Sequence, residues 1–340
     1  MTDLILVLDE GTTSTRAMLF DAAGKPHGVA QAELTQHYPR SGWVEHDAGE
    51  IWDKTLGCAR KVVEQAGGAE RIAAIGIANQ RETVVAWDRA TGEPLARAIV
   101  WQDRRTAQRC TELREAGHED AVREATGLLL DPYFSATKMR WLLDNAPAVA
   151  DAAAARRLAF GTIESWLTFK LTGAHVTDAG NASRTLLLPL AGASWDESLC
   201  ELFGVPRTAL PEVVDSTGAF GTTALLGGAI PVVGLAGDQQ AATIGQGCLA
   251  PGETKATYGT GAFVLSNEGA TVPVRPTACS GPCCASSAAR GLMRSKARCS
   301  SPAASSNGCA TPSASSRAQP RPKPSPVRCP TAAGWSSSPH

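Results

Sequence analysis

Hydroxyl, acidic and basic side chains gather where apolar runs stop, and they define the chemistry open to this 340-residue chain. The first cluster is Asp9-Glu10-Gly11-Thr12-Thr13-Ser14-Thr15-Arg16, directly after the apolar run Leu4 to Leu8. A tight turn with free backbone N–H groups beside several hydroxyls suits anionic oxygens, and an acid at the strand end suits a hydrated cation. The same residues also fit an ordinary hairpin whose Thr and Ser satisfy turn geometry. Tyr258-Gly259-Thr260-Gly261 repeats the glycine–hydroxyl device far along the chain. Between the two lie Arg81-Glu82, readable as a site or as a surface ion pair, and Trp101, readable as an aromatic plate or as core. In Gly237-Asp238-Gln239-Gln240 a glycine precedes an acid at a strand-to-helix turn, the place for a general base or for a helix cap. Taken together the clusters supply what phosphoryl transfer needs: phosphate positioning, a metal-associated acid and a base near the attacking oxygen. No GxxxxGK[ST] run occurs, so the phosphate device is not a P-loop, and no Ser/His/Asp arrangement stands out.

The elements that must carry these clusters are strands and helices in alternation, which argues an α/β fold with a central mixed sheet. Leu4 to Leu8 and Ala17 to Phe20 predict a hairpin, and Val29 to Tyr38 another strand. Asp47-Ala48-Gly49-Glu50 reads as a capping box opening a helix that Gly67-Gly68 ends. Ile72 to Ala78 and Ala98 to Trp101 predict two further buried strands. Three strands then end in polar residues, as where ligands bind at the carboxyl ends of an α/β sheet. Helices are expected near 104–116, 119–126, 136–146 and 162–171, with Asp131-Pro132-Tyr133-Phe134 a loop. A strand over Ala229 to Leu235 precedes a small-residue helix from Gln239 to Gln246, and Thr254 to Leu265 reads as two strands pinched around Gly259-Thr260-Gly261.

Net charge is −1, which leaves no electrostatic footprint for nucleic acid. No apolar run is long enough to span a bilayer, and the N-terminus lacks a basic n-region and cleavage site, so the expected location is the cytoplasm. Of ten cysteines, Cys58, Cys110, Cys200 and Cys248 are scattered singly, which favours reduced, buried thiols.

The clusters Asp9-Glu10-Gly11-Thr12-Thr13-Ser14, Asn79-Gln80-Arg81-Glu82-Thr83, Trp101-Gln102-Asp103-Arg104-Arg105-Thr106, Asp131-Pro132-Tyr133-Phe134-Ser135, Gly237-Asp238-Gln239-Gln240 and Tyr258-Gly259-Thr260-Gly261 stand in an order and spacing that resemble the glycerol kinases of the FGGY carbohydrate kinase family. Asn181-Ala182-Ser183-Arg184-Thr185 and Gly42-Trp43-Val44-Glu45-His46-Asp47 fit as well, and the likeness runs from about residue 4 to about 276. The resemblance implies an actin-like, ribonuclease-H-like fold and ATP-dependent phosphorylation of glycerol to sn-glycerol 3-phosphate. By resemblance, Arg81, Glu82, Tyr133, Asp238 and Gln239 hydrogen-bond glycerol, and Trp101 and Phe263 wall its carbons. Asp238 is then the base. Thr12, Thr13, Ser14, Arg16 and Thr260 contact ATP phosphates, and Asp9 belongs to the Mg²⁺ shell. A homo-oligomer is also implied. The alternatives are a kinase for another polyol or sugar of the family and a non-catalytic glycerol-binding fragment.

Two departures stand out. Glu10 occupies a position where the family usually has Gln, and a negative charge there is expected to weaken nucleotide binding unless a cation or Arg16 offsets it. The second is the tail. No Asp or Glu follows Glu268, and Ser, Pro, Ala, Cys and Arg dominate past Thr277, as in a disordered segment. Cys279, Cys283, Cys284, Cys299, Cys309 and Cys329 form no CxxC pair, which argues against a metal site. Joining the third base of each codon to the first two of the next lets Thr277 to Cys284 be re-read as Gly-Leu-Leu-Gly-Thr-Val-Leu. The same offset from Leu292 gives Tyr-Ala-Leu-Glu-Gly-Ser-Val-Phe-Val-Ala-Gly, which resembles the opening of the family's second lobe. The expected organisation is a substrate domain over 1–247, the start of a nucleotide domain over 248–276, and an out-of-frame, disordered tail over 277–340. A chain so truncated is expected to be inactive.

Overall fold

The computed structural model describes residues 4–258, 262–269, 283–285 and 295–299; the Gly259-Thr260-Gly261 turn and most of the tail fall outside them. Alternation of inward and outward residues builds the opening strands β1 (Leu4–Glu10), β2 (Ser14–Phe20) and β3 (Pro26–Glu33). Leu4, Leu6 and Leu8 point to one face, together with Ala17 and Leu19. That face is covered by helix α1 (Ala48–Ala66), whose Ile51, Cys58, Ala59, Val62 and Val63 are buried. Asp47 caps it by accepting from the Gly49 and Glu50 amides at 2.8 and 3.1 Å, and Gly67 closes it at φ +94°, a conformation open to glycine.

Strand β4 (Ile72–Asn79) lies parallel to β1, and strand β5 (Ile230–Gly237) lies parallel to β4 on its other side. The resulting six-stranded sheet runs Thr222–Thr223, β5, β4, β1, β2, β3, with antiparallel pairs at both edges. It is a mixed sheet. Its register sets the site: Glu10 is opposite Asn79, and Asn79 is opposite Gly237. One row therefore closes β1, β4 and β5, and the chain leaves all three at the same edge.

Ala98 to Trp101 does not supply a strand of this sheet, contrary to the sequence reading. Only Ala98–Ile99 is extended, and it pairs with Glu45–His46 in a separate ribbon. The run is divided between two cores: Ala98 packs in the first, and Ile99 in a second that gathers Val84, Ala86, Phe134, Met139, Leu142, Phe160 and Leu186. Helix α2 (Ser135–Asn145) belongs to that core, whereas helix α3 (Ile163–Thr172) packs Ile163, Trp166 and Leu167 into the first. Helices Pro147–Ala154 and Glu197–Phe203 were not foreseen. After helix α4 (Asp238–Gly245) the chain forms the antiparallel pair β6 (Thr254–Tyr258) and β7 (Ala262–Asn267), which the short strands Ser295–Cys299 and Cys283–Ala285 extend. No helix among the described residues is long and apolar enough to cross a membrane.

Candidate active site

The residues following the aligned strand ends converge. Asn79 is locked by Asn181, with side-chain contacts at 3.0 and 3.1 Å, and by Glu164 Oε2 at 2.9 Å. Gln80 donates to the Gly11 carbonyl at 3.0 Å and accepts from Thr83 Oγ1 at 2.9 Å, tying the first turn to the end of β4. With Asn79 and Gln80 spent on the scaffold, Arg81 and Glu82 project into the site. Glu82 has φ +62°, a strained setting for a residue with a side chain. Its carbonyl is held by Ser135 Oγ at 3.1 Å and by Lys138 Nζ at 3.5 Å. Lys138 is fully buried on α2 and also binds the Tyr133 carbonyl at 2.6 Å; burial pulls its ammonium down to about 8.

Arg81 Nε lies 3.3 Å from Asp238 Oδ1, but neither Nε nor Nη1 of this buried guanidinium makes a hydrogen bond. Unsatisfied buried donors of this kind point to a ligand. Glu82 does not pair with its neighbour. Its Oε1 accepts from Arg184 Nε at 2.6 Å, both side chains being buried, and the Arg184 guanidinium lies over the Tyr133 and Phe134 rings at 5.6 and 4.9 Å. Trp101 meets Tyr133 edge-on at 5.7 Å, and its indole donates to Thr12 Oγ1 at 2.9 Å. One aromatic wall thus touches both the polar cluster and the first turn.

Asp238 opens α4 with its side chain 41% exposed, open on one side and ringed by protein on the others. Desolvation pushes its carboxyl above the ordinary aspartate range, Arg81 draws it back, and the Glu82 charge pushes it up again. The Tyr133 phenol is raised mainly by burial, with Glu82 adding to it. Gly237 is required here for space rather than for backbone freedom, since its φ is −61°. A Cβ on it would meet Arg81 Cγ and Cδ at 2.6 Å and Gln240 Oε1 at 2.8 Å.

In the first turn, Arg16 Nη1 pairs with Asp9 Oδ2 at 3.1 Å. Ser14 is buried and accepts from Gln31 Nε2 at 3.1 Å, while Thr13 is exposed. Glu10 corrects the sequence reading. Its side chain enters the core, accepting from Thr55 Oγ1 at 2.8 Å, with Oε1 unpaired. Burial raises its carboxyl to about 8, so it is mostly neutral at pH 7 and places no full charge beside the turn. Phe263 is half-buried on β7, opposite Thr257 in register; Thr260 falls outside the described residues. Sequence reasoning assigned no role to Lys138 or Gln240. Arg184 stood inside a recognised motif but carried no local signal of its partner, 102 residues away.

The N-terminal domain of the FGGY family of carbohydrate kinases matches residues 4–245, and the chain belongs to that family. Its fold is the actin-like fold of the sugar kinases. A glycerol kinase of Alcanivorax borkumensis is 59% identical over 273 residues, covering 79% of this chain and 55% of the relative. One of Methylobacterium nodulans is 57% identical over 274 residues, with the same shares. The crystal structure of Plasmodium falciparum glycerol kinase with ADP superposes with a TM-score of 0.81 at 33% identity, covering 87% of this chain and 60% of that one. The chain spans about half the length of the curated relatives it matches.

Proposed function

We propose that this chain carries the glycerol-binding lobe of an ATP:glycerol 3-phosphotransferase. The reading rests most on Arg81, whose buried Nε and Nη1 make no hydrogen bond beside Glu82 and Asp238, in a chain 59% identical to a glycerol kinase. Glycerol offers three hydroxyls on three carbons. Arg81 and Gln239 donate to their oxygens, Glu82 and Asp238 accept their protons, Tyr133 adds a phenol, and Trp101 with Phe263 covers the carbons.

In the transfer, the proton of the attacking hydroxyl passes to the Asp238 carboxylate. Its oxygen forms a bond to the γ-phosphorus as the bond to the ADP oxygen breaks, giving sn-glycerol 3-phosphate. A carboxylate made more basic by desolvation accepts that proton more readily. The Thr12 and Ser14 hydroxyls each accept a hydrogen bond and keep an O–H to donate to phosphate oxygens, joined by Thr13, Arg16 and Thr260. Among the described residues no three His, Cys, Asp or Glu side chains group into a metal cage. Mg²⁺ would be carried mainly by nucleotide phosphates and water, with Asp9 at the end of β1 as its protein carboxylate. When bound, the ion neutralises phosphate charge.

Residues 1–247 form the substrate domain in this reading and 248–276 begin the nucleotide domain. The tail from 277 is out of frame, so the 340-residue chain binds glycerol in a cytoplasmic setting without turning it over. Glycerol titration of the chain, followed by carbon-13 NMR of the ligand, tests this. Saturable glycerol binding that five-carbon polyols displace poorly supports it, and absent glycerol binding, or equal binding of the longer polyols, refutes it. Glycerol-dependent ADP release is expected only after the alternative frame is restored from Thr277.

A further inference from the structure

Lys255 lies on β6, the strand that follows the substrate lobe, yet its side chain is directed into the site just described. Its ammonium donates to Gln239 Oε1 at 2.6 Å and to Thr257 Oγ1 at 2.7 Å, and the residue is only 2% exposed. Gln239 in turn directs Nε2 towards Asp238 Oδ2 at 3.5 Å, and its backbone N–H lies 2.7 Å from Asp238 Oδ1.

A primary carboxamide has one end that accepts and one that donates, and nothing in the side chain itself decides which faces a ligand. Here both neighbours are one-sided. A lysine ammonium can only donate, and an ionised carboxylate can only accept. The oxygen end must therefore face Lys255, and the NH₂ end must face Asp238. We propose that Lys255 is a positioning residue that fixes the Gln239 carboxamide with its donor end towards Asp238, and so makes Gln239 a donor to the oxygen of the glycerol hydroxyl that Asp238 deprotonates. This rests on the glycerol-binding reading and adds to it the element that orders one of its contacts. It also couples the site to the seating of β6, because the ammonium reaches Gln239 only when that strand is in place.

The arrangement is electrostatically self-consistent. Desolvation lowers the Lys255 ammonium, and the nearby Asp238 charge raises it again, so the cation is retained by the base it helps to serve. Phe263 stands opposite Thr257 in the β6–β7 register, and directly opposed residues share a sheet face. The apolar wall assigned to glycerol and the positioning ammonium thus project from one side of one hairpin.

The test is a double-mutant cycle on the 340-residue chain, read as glycerol affinity by carbon-13 NMR titration, with a thermal melt for each protein. Lys255→Met is expected to weaken glycerol binding on the order of tenfold, the usual weight of a hydrogen bond to a charged group. Gln239→Ala is expected to weaken it similarly. In the Gln239→Ala background Lys255→Met is expected to cost less than twofold more, because no carboxamide is left to orient. Lys255→Arg, still a donor-only cation, is expected to restore most of the affinity. Equal tenfold losses from Lys255→Met in both backgrounds overturn the proposal and make Lys255 a general support of the fold. Undiminished binding by Lys255→Met overturns it as well. A wild-type chain that binds no glycerol instead removes the reading beneath it, an outcome visible before any variant is made.

Discussion

Replacing Glu10 by Gln should change how stability depends on pH. The side chain is fully buried, and its carboxyl is raised from 4.5 to about 8 chiefly by desolvation. In the unfolded chain the group ionises near 4.5; in the folded chain it stays protonated until about 8. Between these values the folded state binds more protons, so the contribution of this group to stability is greatest below 4.5 and is lost as the pH rises towards 8. One pH interval costs about 1.4 kcal/mol, so the loss between pH 5 and pH 8 is about 4 kcal/mol. Glutamine is neutral throughout. Its extra N–H donors impose an offset that does not vary with pH, so the slope is the diagnostic. Urea unfolding of wild type and Glu10→Gln at pH 5, 6, 7 and 8 should show the variant gaining on wild type by about 4 kcal/mol in total. Parallel curves would refute the claim that Glu10 is folded in as a neutral acid. The same reasoning reverses the expectation from sequence: in a frame-restored protein, Glu10→Gln should leave ATP affinity within about twofold at pH 7, because little charge is removed.

Three further outcomes follow from the geometry. Gly237→Ala should push the Arg81 side chain aside and cost about 1–3 kcal/mol, read as weaker glycerol binding with a smaller change in melting temperature; wild-type affinity in that variant contradicts the close approach. Arg184→Met leaves the Glu82 carboxylate buried without its ion pair, which should destabilise the chain by about 3–5 kcal/mol in urea. Adding Glu82→Gln should recover part of that loss, and strict additivity would show that the pair is not coupled. His46 is buried and His175 half-buried, and desolvation lowers both to about 4, so the unfolded state binds more protons between 6.5 and 4. Stability contributed by keeping them neutral is therefore present above 6.5 and lost as the pH falls towards 4, and His46→Gln should flatten that part of the acid limb.

The strand ends were legible because polar residues stopped unbroken apolar runs, although the strands bury one face fully and the other only in part. Leu4–Leu8, Ile72–Ala78 and Ala229–Leu235 carry that signal, and all three fall in the central sheet. Ala98 to Trp101 carries it equally but lies outside that sheet, with Ala98 packed in the first core and Ile99 in the second. Local apolarity reports burial, not which partner provides it. Asp238 was readable from the glycine before it, although the reason for that glycine, the Arg81 stem crossing its α-carbon, was not. Glu10 was misjudged because a one-residue step along a strand reverses the face a side chain takes, placing Glu10 with Leu6 and Leu8 against α1 while Asp9 faces the turn. Arg184 reaches Glu82 across 102 residues and Lys255 reaches Gln239 across 16, contacts made only when separate segments meet, and no spacing rule reports these.

The proposed reaction rests most on Asp238, as the acceptor of the proton from the hydroxyl to be phosphorylated. The decisive measurement compares Asp238→Asn with the parent in the frame-restored protein, with glycerol binding and glycerol-dependent ADP release followed in parallel. Loss of a general base predicts a fall in turnover of about 10²- to 10⁴-fold, with glycerol still bound within about tenfold of the parent. Turnover at the parental rate would contradict the assignment of Asp238 as the base.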